Sequence, residues 1–403
     1  DQDSDGYTVT VDGDASKEIG PNGTVTFSGL SEGDHSVELS GIQSNCSVDG
    51  QNPRTVSVEA GGSVSAGFDV TCTSGGLQAV EIPDQSDFTD QGVILEPGDC
   101  GDWDWWLHSP IAVEKKNGTY YLYYAAMDGS RPDNPCDDTG SFRNRATGVA
   151  TSTDGRNFSK SGENPIVTHQ PNDDEPFTTG EGGTAAGASL IDDDGTIRLY
   201  VGGMEEFDTE AVDSDVVHQT SSDGISFGPQ SDAVKAGTIV PYDDENFPAS
   251  IIKIGDTYHL YYVGQGSANN WTLQLISSTD PTDFNSGSPT QVTGPSAGGA
   301  KGEQPGAIRI SEGQILVPVH PSFSTGPINL RTAPVSDPTD LSTLEDTWNF
   351  GSEVALPNLF LDREQGEWLL FYRDMSAGDP DAFDAEDPIG LMTAPATFID
   401  EGV

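Results

Sequence analysis

The stretch GTYYLYYAA, residues 118–126, decides the fold because related stretches recur along the chain. The copies are GTIRLYVGG (195–203), DTYHLYYVG (256–264) and GEWLLFYRD (366–374). Each follows a short apolar run by a turn: SPIAVE (109–114), GASLID (187–192), FPASIIKI (247–254) and LPNLFLD (356–362). A fifth pair, EQPGAIRI (303–310) and QILVPVH (314–320), completes the series. Short runs rich in tyrosine and β-branched residues between turns predict strands.

A third predicted strand follows each pair, with a shared ending. These segments are GVATSTDGRNF, VVHQTSSDGISF, LQLISSTDPTDF, NLRTAPVSDPTDL and IGLMTAPATF. With Pro110, Ala188, Pro248, Pro305 and Pro357 taken as equivalent, the steps are 78, 60, 57 and 52 residues. Each step has room for a four-stranded blade and its loops. We therefore predict an all-β protein with a five-bladed β-propeller over residues 95–403; a generic sandwich with accidental tyrosine runs does not explain five ordered copies.

The first 75 residues have a different pattern. Runs such as YTVTVDG, HSVELSG and TVSVEA alternate apolar and polar residues and are separated by DG, NG and GG turns. This pattern predicts a small N-terminal antiparallel β-sandwich over residues 1–75, followed by a linker over residues 76–94. The opening DQDSDG has the spaced aspartates of a calcium loop, but Val11 and Asp12 stand where an EF-hand loop would need its glutamate.

The charge balance limits the classes of partner. The chain has 66 Asp and Glu against 17 Lys and Arg, a net charge of −49 with an isoelectric point near 4.1. Binding to DNA, RNA or an anionic membrane depends on cationic side chains, so these partners are disfavoured. Self-repulsion of this size is screened at molar salt, which favours a halophilic source over an ordinary acidic secreted protein. No apolar run approaches the length of a membrane span, and no signal-peptide pattern opens the chain.

The four cysteines form two local pairs. Cys46 and Cys72 lie near the end of the first segment, and Cys100 and Cys136 flank the first tyrosine run. Neither pair has a zinc or CxxC spacing, so we expect two disulfides and a secreted or cell-surface location; free buried thiols are the alternative.

Propeller geometry predicts where a site would lie. In an antiparallel blade the start of strand one, the end of strand two and the start of strand three share one face, and side chains from every blade converge there. The starts of strand one supply Asp104, Trp105, Trp106, His108, Glu181, Glu245 and Glu303; the ends of strand two supply His320, Arg373 and Asp374; the starts of strand three supply Arg145, His218, Trp271 and Arg331. Because the chain has so few cations, the arginines and histidines in this set are more informative than the carboxylates.

The tryptophans before the first blade suggest a sugar subsite. The stretch DWDWWLHSP (102–110) places Trp105 and Trp106 beside Asp104 and His108. Sugars stack an apolar face on aromatic rings while their hydroxyls bind polar groups. The alternative is that one or two of these tryptophans pack under the loop between Cys100 and Cys136. In extended chain only one ring of a Trp-Trp pair need face the site.

Residues 95–400 resemble the five-bladed β-propeller glycosidase superfamily that includes glycoside hydrolase families 43, 32, 68 and 130. The resemblance rests on P-x-x-φ runs (φ apolar) followed by Y-Y-L-Y-Y strands, and on S-T-D-G-x-x-F endings. Residues 1–75 resemble the Ig-like or PEGA-like repeats of secreted proteins, which act as spacers or attachment units. The resemblance of residues 95–400 to the glycosidase superfamily implies glycoside hydrolysis by two carboxylates, one acting as the acid and the other as base or nucleophile.

Family 43 places its base in an Asp-Pro of blade one, a third Asp in blade two and its acid in a Glu-x-Pro of blade three. Here blade one has Ser109-Pro110, with Asp104 the nearest substitute, and blade two has Glu181 upstream of Gly187-Ala188. Blade three has Glu245-Asn246-Phe247-Pro248, and the intact Glu-x-Pro, Glu303-Gln304-Pro305, comes one blade later. The resemblance thus implies catalytic roles for two of Asp104, Glu181, Glu245 and Glu303, with Glu303 the preferred acid.

The missing Asp-Pro leaves alternatives open. The leading hypothesis is a secreted carbohydrate-active protein, a glycoside hydrolase; the others are a non-catalytic glycan-binding protein and a structural cell-surface component attached through its N-terminal domain. Convergence of Arg145, Arg331 and Arg373 would suit an anionic sugar, whereas pairing of each arginine with a neighbouring acid, as of Arg373 with Asp374, would not. No cofactor is required; acidic channel walls could hold Ca²⁺, although no ligand spacing demands a metal.

Overall fold

The computed structural model describes residues 7–20, 23–42, 46–48, 50–72, 77–128, 143–167, 183–204, 216–234, 245–266, 270–293, 306–320, 326–376 and 387–399. The chain divides into two compact units, Asp1–Gly76 with Asp193–Gly195, and Leu77–Asp192 with Thr196–Val403. Over the described ranges both units consist of strands, apart from one short 3-10 helix, Gln85–Asp87. No helix in these ranges is long and apolar enough to cross a membrane.

The first unit contains two antiparallel sheets. Its strands are β1 (Tyr7–Val11), β2 (Ala15–Ile19), β3 (Gly33–Ser40), β4 (Cys46–Val48), β5 (Arg54–Val58) and β6 (Val70–Cys72). One sheet has the order β2-β1-β3-β5, and β4 pairs with β6. Alternate residues of β1 and β3 are buried, as the period-two pattern predicts, and they share one apolar cluster with Val48 and Val70 of the smaller sheet. The Ig-like or PEGA-like character of this unit stays a prediction.

The second unit begins with two short strands, β7 (Ala79–Val80) and β8 (Thr89–Leu95), and continues with groups of antiparallel strands that we call repeats 1 to 5. Repeat 1 contains β9 (Trp106–Lys116), β10 (Thr119–Asp128), β11 (Arg143–Ser152) and β12 (Ser159–Lys160). Repeat 2 contains β13 (Gly183–Ile191), β14 (Ile197–Met204), β15 (Val216–Ser221) and β16 (Ser231–Val234). Repeat 3 contains β17 (Glu245–Ile254), β18 (Thr257–Gly266), β19 (Asn270–Ser278) and β20 (Thr290–Gln291).

Repeat 4 contains β21 (Ile308–Arg309), β22 (Gln314–Val319), β23 (Ile328–Pro334) and β24 (Thr343–Trp348). Repeat 5 contains β25 (Val354–Asp362), β26 (Glu367–Asp374) and β27 (Ile389–Pro395), and a final strand, β28 (Phe398–Ile399), pairs with β7. A single parallel bridge between Arg145 and Gly183 joins repeats 1 and 2 into one continuous sheet.

The five repeats pack in a closed ring, each against the next and the fifth against the first. The interfaces contain Tyr123 and Leu199 between repeats 1 and 2, Tyr200 and Tyr258 between 2 and 3, Tyr261 and Val317 between 3 and 4, Trp348 and Trp368 between 4 and 5, and Phe371 and Tyr120 between 5 and 1. The hydrophobic effect, from burial of apolar side chains between adjacent repeats, is the main interaction that stabilises the packing of the sheets.

The tyrosine-rich strand β10 shows why its sequence is apolar throughout. Successive side chains of a strand point to opposite faces. Tyr120, Leu122 and Tyr124 lie in the cluster shared with repeat 5, whereas Tyr121 and Tyr123 lie in the cluster shared with repeat 2. A central strand of such a ring is therefore buried on both faces, and the alternation seen in the first unit is lost.

Strand β8 completes repeat 5. It pairs antiparallel with β27, so that Leu95 lies opposite Ile389 and Thr89 lies opposite Thr393. The segment 76–94, predicted as a linker, thus contributes strands to the second unit. Its local pattern gave no sign of this because the partner strand lies at the other end of the unit's sequence.

An aspartate at the end of β25 fastens repeat 5 to repeat 1. Asp362 accepts hydrogen bonds from Lys115 Nζ, at 2.9 Å, and from the hydroxyl of Tyr120. Lys115 Nζ also lies over the Tyr120 ring, 4.9 Å from its centre. Burial and Asp362 raise the pKa of the Tyr120 hydroxyl to about 12.

The same arrangement fastens repeat 2 to repeat 3. Asp192, directly after β13, accepts from Lys253 Nζ at 2.7 Å and from the Tyr258 hydroxyl at 2.6 Å. Lys253 Nζ lies 5.0 Å from the centre of the Tyr258 ring, and Arg198 Nε donates to the same carboxylate at 2.8 Å. In both copies the lysine precedes the tyrosine by five positions across the turn between strands one and two.

Candidate functional site

The first strands of the five repeats surround a cavity of about 410 Å³. We call it the strand-end cavity, because the residues that line it come mainly from the later halves of these strands. They include Ile111 and Glu114 of β9, Ser189 of β13, Ser250 and Lys253 of β17, Arg309 of β21, and Asn358 of β25.

The predicted catalytic face lies at the other end of the first strands, where those strands start. Most of the segments that connect strands at that end fall outside the described residues: 129–142, 168–182, 205–215, 235–244, 267–269, 294–305, 321–325 and 377–386. Glu181 and Glu303 lie in two of them, and their predicted roles stay predictions.

Backbone register brings two predicted residues together in repeat 3. Glu245 lies opposite Gln265 on β18, and Gln265 lies opposite Trp271 on β19. Residues in register on adjacent strands project to the same face of a sheet. The start of strand one and the start of strand three therefore meet at one end of this repeat.

Repeat 1 has the same register at the corresponding end. Trp106 lies opposite Met127, and Met127 lies opposite Arg145. His108 lies two positions farther along β9. The backbone thus places Trp106, His108 and Arg145 near the same end of repeat 1.

Asp104 lies in the turn before β9 and contacts the outer strand of its own repeat. It is only 4% exposed and forms an ion pair with Lys160 Nζ at 2.6 Å, on the outermost strand of repeat 1. The Tyr124 hydroxyl donates to its carboxylate at 3.4 Å, and Trp103 stacks on the Tyr124 ring. These partners indicate a structural contact in the turn before β9.

The two adjacent tryptophans differ in burial. Trp106 is buried at the start of β9, and the Arg373 guanidinium lies 5.6 Å from the centre of its ring. Trp105 is half-buried. One ring therefore packs inside the protein, which leaves Trp105 as the ring of the pair with access to a ligand.

Arg373 forms a fully buried ion pair with Asp387. Its Nε and Nη2 atoms lie 3.0 and 2.6 Å from Asp387 Oδ2, and both side chains are 1% exposed. Its predicted alternative partner, Asp374, instead accepts from the Ser376 backbone at 2.9 Å. This ion pair joins strand two of repeat 5 to the residues just before its third strand, and the sugar contact of Arg373 stays a prediction.

His218 is buried within repeat 2. Its ring packs on Tyr200, with centres 4.9 Å apart, and lies 3.3 Å from the Arg198 guanidinium. Burial, and to a smaller extent Arg198, lower the pKa of His218 to about 4. The imidazole is therefore neutral at neutral pH and belongs to the packing between repeats 2 and 3.

Two other side chains predicted to bind a sugar are also buried. Arg331 on β23 donates from Nη1 to the Leu341 carbonyl at 2.9 Å, and His320, directly after β22, is 1% exposed. The three arginines proposed for an anionic sugar therefore do not converge as free side chains, because two of them are engaged within their own repeats.

The predicted disulfides are partly placed by the backbone. Cys46 and Cys72 are opposite one another in the β4–β6 pair, which is the backbone arrangement that a disulfide needs. Cys136 lies outside the described residues, so the Cys100–Cys136 disulfide stays a prediction.

Glu114 is a residue that sequence reasoning missed. It lines the strand-end cavity among apolar neighbours, and Ser189 Oγ donates to its carboxylate at 2.8 Å. Burial raises the pKa of Glu114 to about 7. The available signal was a charge within SPIAVE, an otherwise apolar first strand.

Glu114 should make stability fall with rising pH. Its folded-state pKa is raised, so its contribution is present below the ordinary pKa near 4.5 and is lost as the pH rises through about 7. On going from pH 5 to pH 8, the free energy of unfolding of Glu114→Gln should rise by about 2 kcal/mol relative to that of the parent. One pKa unit corresponds to ~1.4 kcal/mol, and the partial exposure of Glu114 reduces the full effect. Denaturant unfolding at both pH values measures it. Identical pH dependence in parent and variant would contradict this assignment.

The described residues contain no group of three or more His, Cys, Asp or Glu side chains that could hold a metal ion.

No protein-family model matches the sequence, and comparison with curated proteins finds no match. Solved structures do match. A family 117 glycoside hydrolase of the marine bacterium Zobellia galactanivorans is 14% identical, with a TM-score of 0.54, over 78% of this chain and 92% of that one. A family 43 β-xylosidase/α-arabinofuranosidase from a compost microbial metagenome is 13% identical, with a TM-score of 0.52, over 78% and 97%.

An α-L-arabinofuranosidase from Lactobacillus brevis is 14% identical, with a TM-score of 0.52, over 74% of this chain and 94% of that one. At these identities the similarity shows the fold alone. The chain is similar in structure to glycoside hydrolases of the β-propeller type, which confirms the predicted propeller-like, all-β architecture.

Proposed function

We propose that the second unit is a five-bladed β-propeller that acts on a carbohydrate as a glycoside hydrolase, at the face where the first strands start. The observation that carries the proposal is the register of repeat 3, in which Glu245, Gln265 and Trp271 occupy one row across three strands. A carboxylate, an amide and an indole are the residue types of a sugar subsite: a catalytic carboxylate, a hydrogen-bonding group and a stacking ring.

The similarity to structures named as glycoside hydrolases supports the same reaction class. Glu303 is the proposed acid, because it stands in the intact Glu-x-Pro. Glu181 and Glu245 are the candidates for the second carboxylate. The ion pair of Asp104 with Lys160 favours these two over Asp104 as the second group.

The further parts of the proposal concern setting. The first unit acts as a spacer or attachment module, and the protein is secreted or held at the cell surface, with both disulfides formed and with molar salt screening its net charge of −49. The acidic sequence of the segments at the proposed catalytic face suits a bound Ca²⁺ ion. An anionic sugar would depend on Arg145, because Arg331 and Arg373 are engaged elsewhere.

A specific observation favours a second candidate, a glycan-binding protein without catalysis. Blade one has Ser109-Pro110 in place of Asp-Pro, and Ser109 is fully buried. The position at which the resemblance puts a catalytic base is thus occupied by a buried hydroxyl.

A glycan screen in high salt separates the two candidates. Reducing-end release and the shift in melting temperature are recorded for the parent, for Glu303→Gln and for Glu163→Gln, a control at an exposed position in repeat 1. We expect release by the parent and the control, and a loss of about a hundredfold or more in Glu303→Gln, the usual contribution of a general acid. A thermal shift without release would establish the binding protein, and neither signal with any glycan would overturn both.

A further inference from the structure

The strand-end cavity gathers positive charge in a chain that is strongly acidic. Lys253, Arg309 and Arg363 line it, and among the described residues Glu114 is the one acid in its lining. The whole chain has only 17 Lys and Arg against 66 Asp and Glu. Asp192 balances Lys253 at 2.7 Å, so the charges of Arg309 and Arg363 are the ones that need a reason other than composition.

Arg363 carries a charge that no described carboxylate balances. Its Nη1 donates to the Gln78 carbonyl and its Nη2 to the Arg309 carbonyl, both at 2.8 Å. Its guanidinium lies 5.8 Å from the centre of the Phe398 ring. Burial and the nearby Arg309 lower the pKa of Arg363, which is the direction expected for a cation among like charges.

Arg309 is held in a similar way. Its Nε and Nη2 donate to the carbonyls of Ser311, at 3.3 Å, and Glu312, at 3.0 Å. The Glu312 carboxylate is 3.6 Å away and 61% exposed, so its attraction is weak and screened. Backbone carbonyls orient both guanidinium groups, and each retains N–H donors because a guanidinium has five.

Neutral donors lie on neighbouring walls of the same cavity. Ser250 Oγ accepts from the Ala307 backbone N–H, which leaves its hydroxyl hydrogen for a ligand, and Asn358 Nδ2 donates to the Ile111 carbonyl at 3.3 Å. Guanidinium groups with a hydroxyl and an amide beside them are the donors that bind carboxylate, sulfate and phosphate groups in proteins.

We propose that the strand-end cavity binds a small oxyanion, either inorganic or the carboxylate of a small organic acid, through Arg309 and Arg363. The volume of about 410 Å³ admits either form. The site lies at the opposite end of the first strands from the proposed catalytic face, and the inference does not depend on the proposed function.

Crystals of the full chain soaked in selenate test the location directly. We expect an anomalous selenium peak within hydrogen-bonding distance of Arg309 and Arg363. Selenate peaks confined to the outer surface of the protein would overturn the proposal.

Calorimetric titration at constant ionic strength tests affinity and ligand form, with selenate and malonate as separate probes. We expect saturable binding by the parent and by Arg156→Gln, a control whose arginine pairs with Glu367 at 2.9 Å and does not line the cavity. Arg363→Gln and Arg309→Gln should each bind about tenfold or more weakly, because each loses charge-assisted hydrogen bonds.

Tighter binding of malonate would identify an organic acid as the ligand form, and tighter binding of selenate an inorganic one. Equal affinity in the parent and both cavity variants would overturn the proposal, as would the absence of saturable binding in the parent. If a cavity variant fails to fold, the anomalous peaks of the parent still decide.

Discussion

A chain that begins at Leu77 is expected to fold into the ring of five repeats, whereas a chain that begins at Glu96 is not. The first lacks the N-terminal unit and keeps β7 and β8; the second lacks these strands as well. The difference between them is 19 residues, 77–95, all of which except Leu95 fall in the predicted linker.

The expected difference follows from what these residues bury. Leu95 belongs to the cluster between repeats 5 and 1, and Val80 to the cluster between repeats 4 and 5. Phe88 meets Trp348 edge to face, with ring centres 4.9 Å apart. At ~1.5–3 kcal/mol for each large apolar side chain, removal costs on the order of 5–10 kcal/mol, comparable to the whole stability of a typical domain.

Tryptophan fluorescence during denaturant unfolding measures this effect, because all six tryptophans lie in the second unit. The chain from Leu77 should show one cooperative transition, and the chain from Glu96 should show none or should aggregate through the exposed edge of β27. Equal midpoints for the two chains would show that β7 and β8 are both dispensable.

The second large effect is expected at the buried Arg373–Asp387 pair. Asp387→Ala leaves the guanidinium of Arg373 buried without its carboxylate partner, and should lower the free energy of unfolding by about 3–5 kcal/mol. Asp374→Ala is the matched control: it removes the adjacent, half-buried carboxylate and should cost less than about 1 kcal/mol.

The double variant Arg373→Met/Asp387→Leu tests the cause. Replacing both charges by apolar groups of similar size is expected to restore most of the lost stability, because neither side chain then leaves a charge unpaired. If the double variant is no more stable than Asp387→Ala, lost packing rather than the unpaired charge is responsible. Fluorescence-detected unfolding at constant salt gives all four values.

The repeat pattern was predictable from sequence because it has a simple physical cause. Strands such as Tyr120–Ala126 are buried on both faces, which selects apolar and aromatic residues at consecutive positions and makes the copies easy to recognise. Strand β8 was not predictable, since its short GVIL run is ambiguous and its partner lies far along the chain.

The candidate site was less predictable, for a related reason. Where both faces of a strand are buried, sequence does not tell whether a polar side chain faces the centre of the ring or a neighbouring repeat. His218 and Arg331 were predicted to bind substrate, but both are engaged inside their repeats. Glu114, which does line the strand-end cavity, was not predicted because it stands at the end of an apolar run.

Closure by β8 also has a consequence for synthesis on the ribosome. Leu95 emerges about 300 residues before its partner Ile389, a delay on the order of 15–60 seconds at ordinary elongation rates. During that time repeat 1 has no repeat 5 beside it, and β8 is an unpaired strand. The ring can therefore close only after translation of the second unit is nearly complete. Chaperones that bind the nascent chain should therefore matter more for this protein than for one whose last blade is built from consecutive strands.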